Sequence, residues 1–473
     1  MIIASNIDIN DSFLEARTAA RKRECSVLLS EVTRIGALDP LSFYHSGKEK
    51  YTGTRFFWQD PASSTILAGI GNIDTIRTND STERYQAIEQ VWNDLLDRAI
   101  VAREKEVPGT GPLLFGGFSF DHQKSGSELW DQFGDNLFYI PKYMLSVIDG
   151  EAYLTLNLLI KQDDSLTIFT DAREELEELA AKAREEAAHP AYSNELMEQE
   201  EIFPEEWKGT VQTAIEEIKA TDLNKIVLAR ETRLAFRSKI DAEPVLAGLL
   251  QEQQTSYVFC LESGSDYFIG ASPEQLVKKQ GGVLSSACLA GSIARGMTEA
   301  EDERLGNTLL QDDKNRIEHQ YVVSMIKDSM QSVCETVEVP SGPVLMKTRH
   351  IQHLFTPVEG ECKDGISIFD CVEKLHPTPA MGGLPKKKAV ERIRVLERLE
   401  RGFYAAPVGW TDGKSNGEFA AAIRSALVQG NEASLFAGCG IVESSIPESE
   451  YIETAIKFKP MLSALGGKLH ATP

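Results

Sequence analysis

Residues 406–442 read APVGWTDGKSNGEFAAAIRSALVQGNEASLFAGCGIV. Three apolar runs, APVGW, GEFAAAIRSALV and ASLFAGCGIV, follow one another with only turn-forming residues between them. Each run reads as a strand, and neighbouring runs read as hairpins, which places them antiparallel. The same pattern recurs upstream in SVLLSEVTRI, TRFFWQD, STILAGIG, PLLFGGFSFD and EAYLTLNLLI, and again in NKIVLARETRLAF, SYVFCLE and YFIGAS. Helical spacing marks TERYQAIEQVWNDLLDRAIVAREKE, EEWKGTVQTAIEEIKAT, a long segment from about 302 to 336, another near 366–375, KKKAVERIRVLERLE, and a last helix from about 447. Helices gather between groups of strands instead of alternating with them. That order implies an α+β fold with antiparallel sheets and disfavours a doubly wound parallel one. A charged helix over 171–190, stopped by Pro190, and a polar stretch to about 204 suggest a boundary between an N-terminal region (1–200) and a second region (201–465).

With 473 residues, 42% hydrophobic and 26% charged, the chain can enclose a sizeable core. Its 49 Lys and Arg face 72 Asp and Glu, a net charge of −23 that repels nucleic acid and anionic lipid. The seven cysteines are scattered with no CxxC pair, so they suggest reduced thiols in a cytoplasmic protein and neither a disulfide framework nor a zinc knuckle. No secretory signal pattern and no apolar run of membrane-spanning length is present, so no membrane partner is expected.

In IVESSIPESEYIETAIK, Glu450, Glu453 and Lys457 fall at i, i+3 and i+7 on one helical face. The face is either solvated, with a Glu453–Lys457 surface pair, or a hard-cation site with an anion-binding lysine beside it. Glu318 points along an apolar stripe with Val322 and Met325, as a boundary glutamate or as a third carboxylate for such a site. Its neighbour His319 reads as a packing histidine. Lys225 shares a strand face with Val227 and Ala229. It either begins the strand and reaches water, or points inward, where desolvation favours a general base. Glu274, after Pro273, is a helix-N-terminal carboxylate or an acid aimed into a pocket. Arg424 is a sheet-edge cap or a bidentate carboxylate partner. LLFGGFS, LAGS, AMGG and FAGCGIV are glycine-rich, yet none matches a P-loop or a dinucleotide fingerprint. In the stiff loop HPTPAMGGLP, His376 is equally a structural or a functional histidine.

Taken in order, NKIVLAR, FIGASPE, LAGSIARG, DDKNRIEHQ, HPTPAMGG, VGWTDGKSNGEFAAAIRS, FAGCGIV and PESEYIETAIK resemble the chorismate-utilising enzyme family over roughly 205–465. The resemblance implies one large α+β domain, two antiparallel sheets packed as a sandwich with helices outside, with the N-terminal region integrated into the same body. It implies chorismate as substrate and Mg2+ as cofactor, the ion held by Glu318 and Glu453 with Glu450 close by or acting through water. Arg424, Lys457 and the backbone of Gly438 and Gly440 would hold the enolpyruvyl carboxylate. The ring would lie near Gly291 and Ser292, with His376 on its reacting side and Ala380, Met381 and Gly382 forming a wall.

Lys225 is the discriminating position. A lysine there resembles the water-activating base of isochorismate and salicylate synthases, where anthranilate synthases generally carry glutamine. Ala290 stands where aminodeoxychorismate synthases carry a nucleophilic lysine. The implied reaction is isochorismate formation, with Lys225 as base and Glu274 as acid, no glutamine amidotransferase partner, and a monomer or homodimer. The long N-terminal region resembles menaquinone-pathway members. A siderophore-pathway isochorismate synthase, a salicylate synthase and a non-catalytic relative are the alternatives.

Overall fold

The computed structural model describes residues 9–78, 83–124, 127–185, 194–347 and 351–466. Hydrogen bonding runs without a break through 21 strands of these residues, so the strands do not separate into two sheets. All described pairings are antiparallel except that of Val27–Ile35 with Ile100–Ala102, which is parallel.

The sheet branches at the strand Asn136–Ile148, which is not among those read from the sequence; it carries Pro141, a residue disfavoured in a central strand. One edge pairs throughout with Thr65–Ile76. On the other edge the partner changes around Pro141: residues 136–139 pair with Leu113–Phe118, and residues 143–148 with Glu151–Ile160. The proline thus sits where no single partner needs its missing N–H.

Two arms grow from this branch. The first runs through Thr65–Ile76, Phe56–Gln59, Tyr257–Ser263, Asp266–Ser272, Ser425–Gln429, Glu432–Ile441 and Lys225–Phe236. The second runs through Leu113–Phe118, Pro407–Asp412, Gly417–Ala421, Gln275–Gln280, Val283–Ala294 and Ile351–Cys362. Both arms contribute to one aromatic-rich core: Phe56, Trp58, Phe259, Phe268 and Phe436 from the first meet Phe115 and Trp410 from the second. The Phe56 and Phe115 rings stack with centroids 4.2 Å apart. Each arm interleaves early and late strands, so the chain forms a single domain. A buried ion network crosses the same division: Arg55 holds Glu243 at 2.9 Å and Glu262 at 2.6 Å, all three side chains nearly inaccessible to solvent.

Four local readings change. The helix read in TERYQAIEQVWNDLLDRAIVAREKE spans Arg84–Leu96, and Ile100–Ala102 beyond it is a strand. The long helix expected over 302–336 is two helices, Glu299–Gln311 and Asp313–Val333, because Asp312 turns extended and its carboxylate caps the second by accepting from Asn315 N–H. GEFAAAIRSALV is two strands, Gly417–Ala421 and Ser425–Gln429, broken where Arg424 takes a φ of 52°. The polar stretch before residue 204 contains a strand, Leu196–Glu201, pairing with Lys225–Phe236; its charged side chains suit a sheet edge. The preceding helix spans Leu166–Glu185, and Pro190 lies outside the described residues. No described helix is long and apolar enough to cross a membrane.

Candidate active site

The segments 266–280 and 417–429 run antiparallel and change arms at the same place. Gly270 pairs with Ser425 in the first arm, and Gln275 pairs with Ala420 in the second. In the gap, Ala271 N–H donates to the Arg424 carbonyl and Ala421 N–H to the Glu274 carbonyl, 3.0 and 3.1 Å. Glu274 and Arg424 therefore sit together at the crossing. The helix-N-terminal alternative for Glu274 does not apply, because Gln275–Gln280 is a strand. Arg424 does not end a strand at a sheet edge but occupies the break between two.

Burial pushes the Glu274 carboxyl up to about 7, against the opposing pull of Arg424, Lys225 and Lys457. The Thr378 hydroxyl lies beside it and also opposes the shift, although it makes no hydrogen bond of good geometry. Arg424 has no hydrogen bond or ion pair to its guanidinium among the described residues; burial lowers its pKa, and Tyr404, Glu274 and Glu453 oppose that.

Lys225 opens the strand Lys225–Phe236 and is buried, with Nζ 2.7 Å from Glu318 Oε1. Gly440 makes room for it: a Cβ there would stand 2.6 Å from Lys225 Cε. Burial alone would raise the Glu318 carboxyl, but Lys225, then Lys314 and Lys457, bring it below its ordinary value. On the last helix, Pro447–Ala464, Lys457 Nζ donates to Glu453 Oε1 at 2.7 Å and to the Gly438 carbonyl at 2.8 Å. Burial, and then the charge of Glu453, raise Glu450.

Gly438 and Gly440 pair with Ala229 and Val227. Ala229 N–H donates instead to Glu397, and Val227 N–H to the Gly382 carbonyl. Those pairs are thus non-hydrogen-bonded, and the N–H groups of Gly438 and Gly440 turn toward the edge that the Ser425–Gln429 strand does not reach. They face the same side as the carbonyl held by Lys457.

Lys225, Glu274, Glu318, Arg424, Glu453 and Lys457 thus come together, with Glu450, Gly438 and Gly440 at the margin. Gly291 and Ser292 lie on Val283–Ala294, at an irregularity in its pairing, and Ser292 Oγ is 2.8 Å from His353 Nδ1. His353 was not singled out in the sequence. It belongs here because burial, Arg424 and Lys457 together hold it down to about 4, as a neutral imidazole. Its place in the strand Ile351–Cys362 gave no local signal.

The loop 376–385 docks on the strand of Lys225: Gly383 and Leu384 pair with Ile226 and Lys225. Gly383 is required there, since its φ is 139° and a Cβ would lie 2.2 Å from the Lys225 carbonyl. Arg401 fastens the loop by donating to the carbonyls of Met381 (2.9 Å) and Val227 (2.8 Å) while paired with buried Glu397. Ala380 packs against the aromatic-rich core. His376 turns away from the charged group: Nε2 is 3.3 Å from the Phe120 carbonyl, and burial pushes its pKa well below the usual value. The residue of this loop beside Glu274 is Thr378. His319 is a packing histidine, bonded to the Ala290 carbonyl and Thr356.

Among the described residues no three His, Cys, Asp or Glu side chains close into a metal-holding group. Magnesium nevertheless needs only one or two carboxylates and keeps water on its other positions. Glu318 and Glu453 are partly exposed carboxylates, each now satisfied by a lysine, and Glu450 and Glu453 repel one another. That oxygen-only set fits a hard divalent cation.

A carboxyl poised near neutrality, a buried lysine and an arginine with no ion pair among the described residues, brought together, are equipment for acid–base chemistry on an anionic substrate. The family model described as "Chorismate binding enzyme" matches residues 14–466. The chain belongs to that family. It is 47% identical over 463 residues to the isochorismate synthase MenF of Bacillus subtilis, covering 96% of this chain and 97% of that protein. It is 34% identical over 470 residues to the salicylate biosynthesis isochorismate synthase of Pseudomonas aeruginosa, covering 97% and 95%. The fold is that of MenF, the menaquinone-specific isochorismate synthase of Escherichia coli, with a TM-score of 0.77, 24% identity, and coverage of 96% of this chain and 100% of that one.

Proposed function

We propose that this family member is a magnesium-dependent isochorismate synthase, serving menaquinone biosynthesis. The observation that carries this reading is the proximity of a carboxyl raised to about 7 by burial, Glu274, to a buried lysine, Lys225. Near-full-length similarity to isochorismate synthases supports it.

Arg424, Lys457 and the N–H groups of Gly438 and Gly440 bind the enolpyruvyl carboxylate, with the ring near Gly291 and Ser292. Lys225 acts as the base toward the water that attacks C2. The ring double bonds shift, and protonated Glu274 gives its proton to the C4 hydroxyl, which leaves as water. One water enters and one leaves, so composition is unchanged. Hydroxide is a poor leaving group, and a positioned acid or base is typically worth about 10²–10⁴-fold. Glu318 and Glu453 would hold the ion, with Glu450 beside them, and the ion would supply positive charge to the ring carboxylate and ease the repulsion between Glu450 and Glu453. His376 and Ala380 shape the loop along the ring.

In this reading the two arms fold over the shared aromatic core as the layers of a sandwich, 1–200 supports the body, and 201–465 carries the chemistry. The enzyme is cytoplasmic and works as a monomer or homodimer without an amidotransferase. Incubation with chorismate and Mg2+, followed by chromatography, is expected to yield isochorismate. Accumulating salicylate and pyruvate would replace the assignment with salicylate synthase.

A further inference from the structure

Three of the seven cysteines, Cys334, Cys362 and Cys371, meet away from the charged group. Cys334 follows the C-terminus of the Asp313–Val333 helix, Cys362 ends the strand Ile351–Cys362, and Cys371 lies on the helix Ile368–Leu375. Cys334 and Cys362 stand directly opposite each other on adjacent antiparallel strands. Cys362 N–H donates across the other edge, to the Gly282 carbonyl at 2.8 Å, and Cys334 N–H donates to the Met330 carbonyl of its own helix. The two cysteines therefore form a non-hydrogen-bonded pair, the kind in which opposed Cα atoms approach to about 4.5 Å. That spacing falls inside the range a disulfide spans, roughly 4.4–6.8 Å.

All seven cysteines are free thiols. Cys334 and Cys371 are buried, whereas Cys362 is partly exposed. The Cys371 and Cys334 thiols both interact with Cys362, and Lys279 lies near enough to favour its thiolate. Interaction with Cys371 and the charge of Lys279 lower the Cys362 pKa despite burial, while the Cys371 thiol donates to the Ser367 carbonyl at 3.3 Å. Burial raises Cys334 to about 12. One thiol of the three is thus both activated and reachable. Glu318 lies toward the opposite end of the helix, about 24 Å from Cys334 at 1.5 Å per residue.

We infer that Cys334, Cys362 and Cys371 form a peroxide-reactive thiol site, in which Cys362 is oxidised first and Cys334 closes a reversible disulfide with it. The Cys362 thiolate attacks one oxygen of hydrogen peroxide. The O–O bond breaks, hydroxide leaves and is protonated to water, and Cys362 becomes a sulfenic acid. The Cys334 sulfur then attacks the sulfenic sulfur, and the departing oxygen takes the Cys334 proton and leaves as a second water. In sum, two thiols and one peroxide give a disulfide and two waters. Cys371 remains a thiol, its S–H held by the Ser367 carbonyl.

The three cysteines fall on separate tryptic peptides, 328–347, 350–363 and 364–374, so the linkage is readable by mass spectrometry. The full chain is treated with hydrogen peroxide, alkylated and digested. The expected product joins 328–347 to 350–363 with the loss of two hydrogens, and dithiothreitol reverses it. In Cys334→Ser, Cys362 is expected to accumulate as a sulfenic acid that dimedone traps. Cys25, the other partly exposed thiol without such neighbours, serves as the internal comparison. Oxidation of Cys25 ahead of Cys362, a link from Cys362 to Cys371, or no disulfide at all would overturn the inference. The mapping on unsubstituted protein decides this even if the variant folds poorly.

Discussion

Glu274→Gln should inactivate the enzyme and stabilise it above neutral pH. The Glu274 carboxyl goes from 4.5 to about 7 on folding, chiefly through burial, with the pull of Arg424, Lys225 and Lys457 already included. A carboxyl raised in the folded state favours folding below the unfolded value. That advantage is lost as pH climbs from about 4.5 through 7, because the native state must then bury a charge. At about 1.4 kcal/mol per pH unit, the loss comes to ~3 kcal/mol by pH 8. Glutamine keeps the shape without the charge. With an unfolding entropy of about 2 cal/mol/K per residue over 473 residues, that difference corresponds to about 3 °C. Thermal melts of both proteins at pH 5 and pH 8 provide the assay. The variant is expected to melt near the parent at pH 5 and about 3 °C above it at pH 8, with turnover reduced about 10²–10⁴-fold throughout. Glu418, also raised to about 7 by burial, is common to both proteins and cancels in the comparison. A melting difference that does not grow with pH, or a variant that still turns over, would show that Glu274 is neither poised by burial nor the acid.

Other expectations concern the neighbours of that carboxyl. In the parent enzyme kcat/KM should fall as pH rises through about 7, where Glu274 of the free enzyme loses the proton assigned to it as the acid; a pH profile of kcat/KM measures this. Gly440→Ala places a methyl 2.6 Å from Lys225 Cε, a flexible chain end, so kcat should fall about tenfold or more while the melting temperature moves by less than about 1 °C. Arg401→Met leaves buried Glu397 unpaired and frees the Met381 and Val227 carbonyls, which should cost about 3–5 kcal/mol in denaturant unfolding. Chelation by EDTA should abolish turnover, and added Mg2+ should restore it.

The hairpins of residues 406–442 were legible because alternation and turns are local signals. So was the carboxylate face of Glu450, Glu453 and Lys457, which depends only on helical spacing. The break at Arg424 was not, since Ala420, Ala421, Ala422 and Ile423 are as apolar as the flanking strands, and the change of arms is a tertiary event. The same crossing places Glu274, which local sequence left between a helix start and a pocket acid. Charge proximity revealed His353, and docking of the loop turned Thr378 toward Glu274 while His376 faced Phe120. Cys334, Cys362 and Cys371 show the same limit: scattered along the chain, they meet only through strand register and helix packing.

Water attack at C2 with loss of the C4 hydroxyl makes a distinct demand on the oxygen atoms. When chorismate is turned over with Mg2+ in 18O-enriched water, isochorismate sampled early in the reaction should carry one solvent oxygen, at the C2 hydroxyl, and weigh two mass units more. Unlabelled isochorismate would mean that the C4 hydroxyl migrates within the substrate, and the roles given to Lys225 and Glu274 would then be wrong.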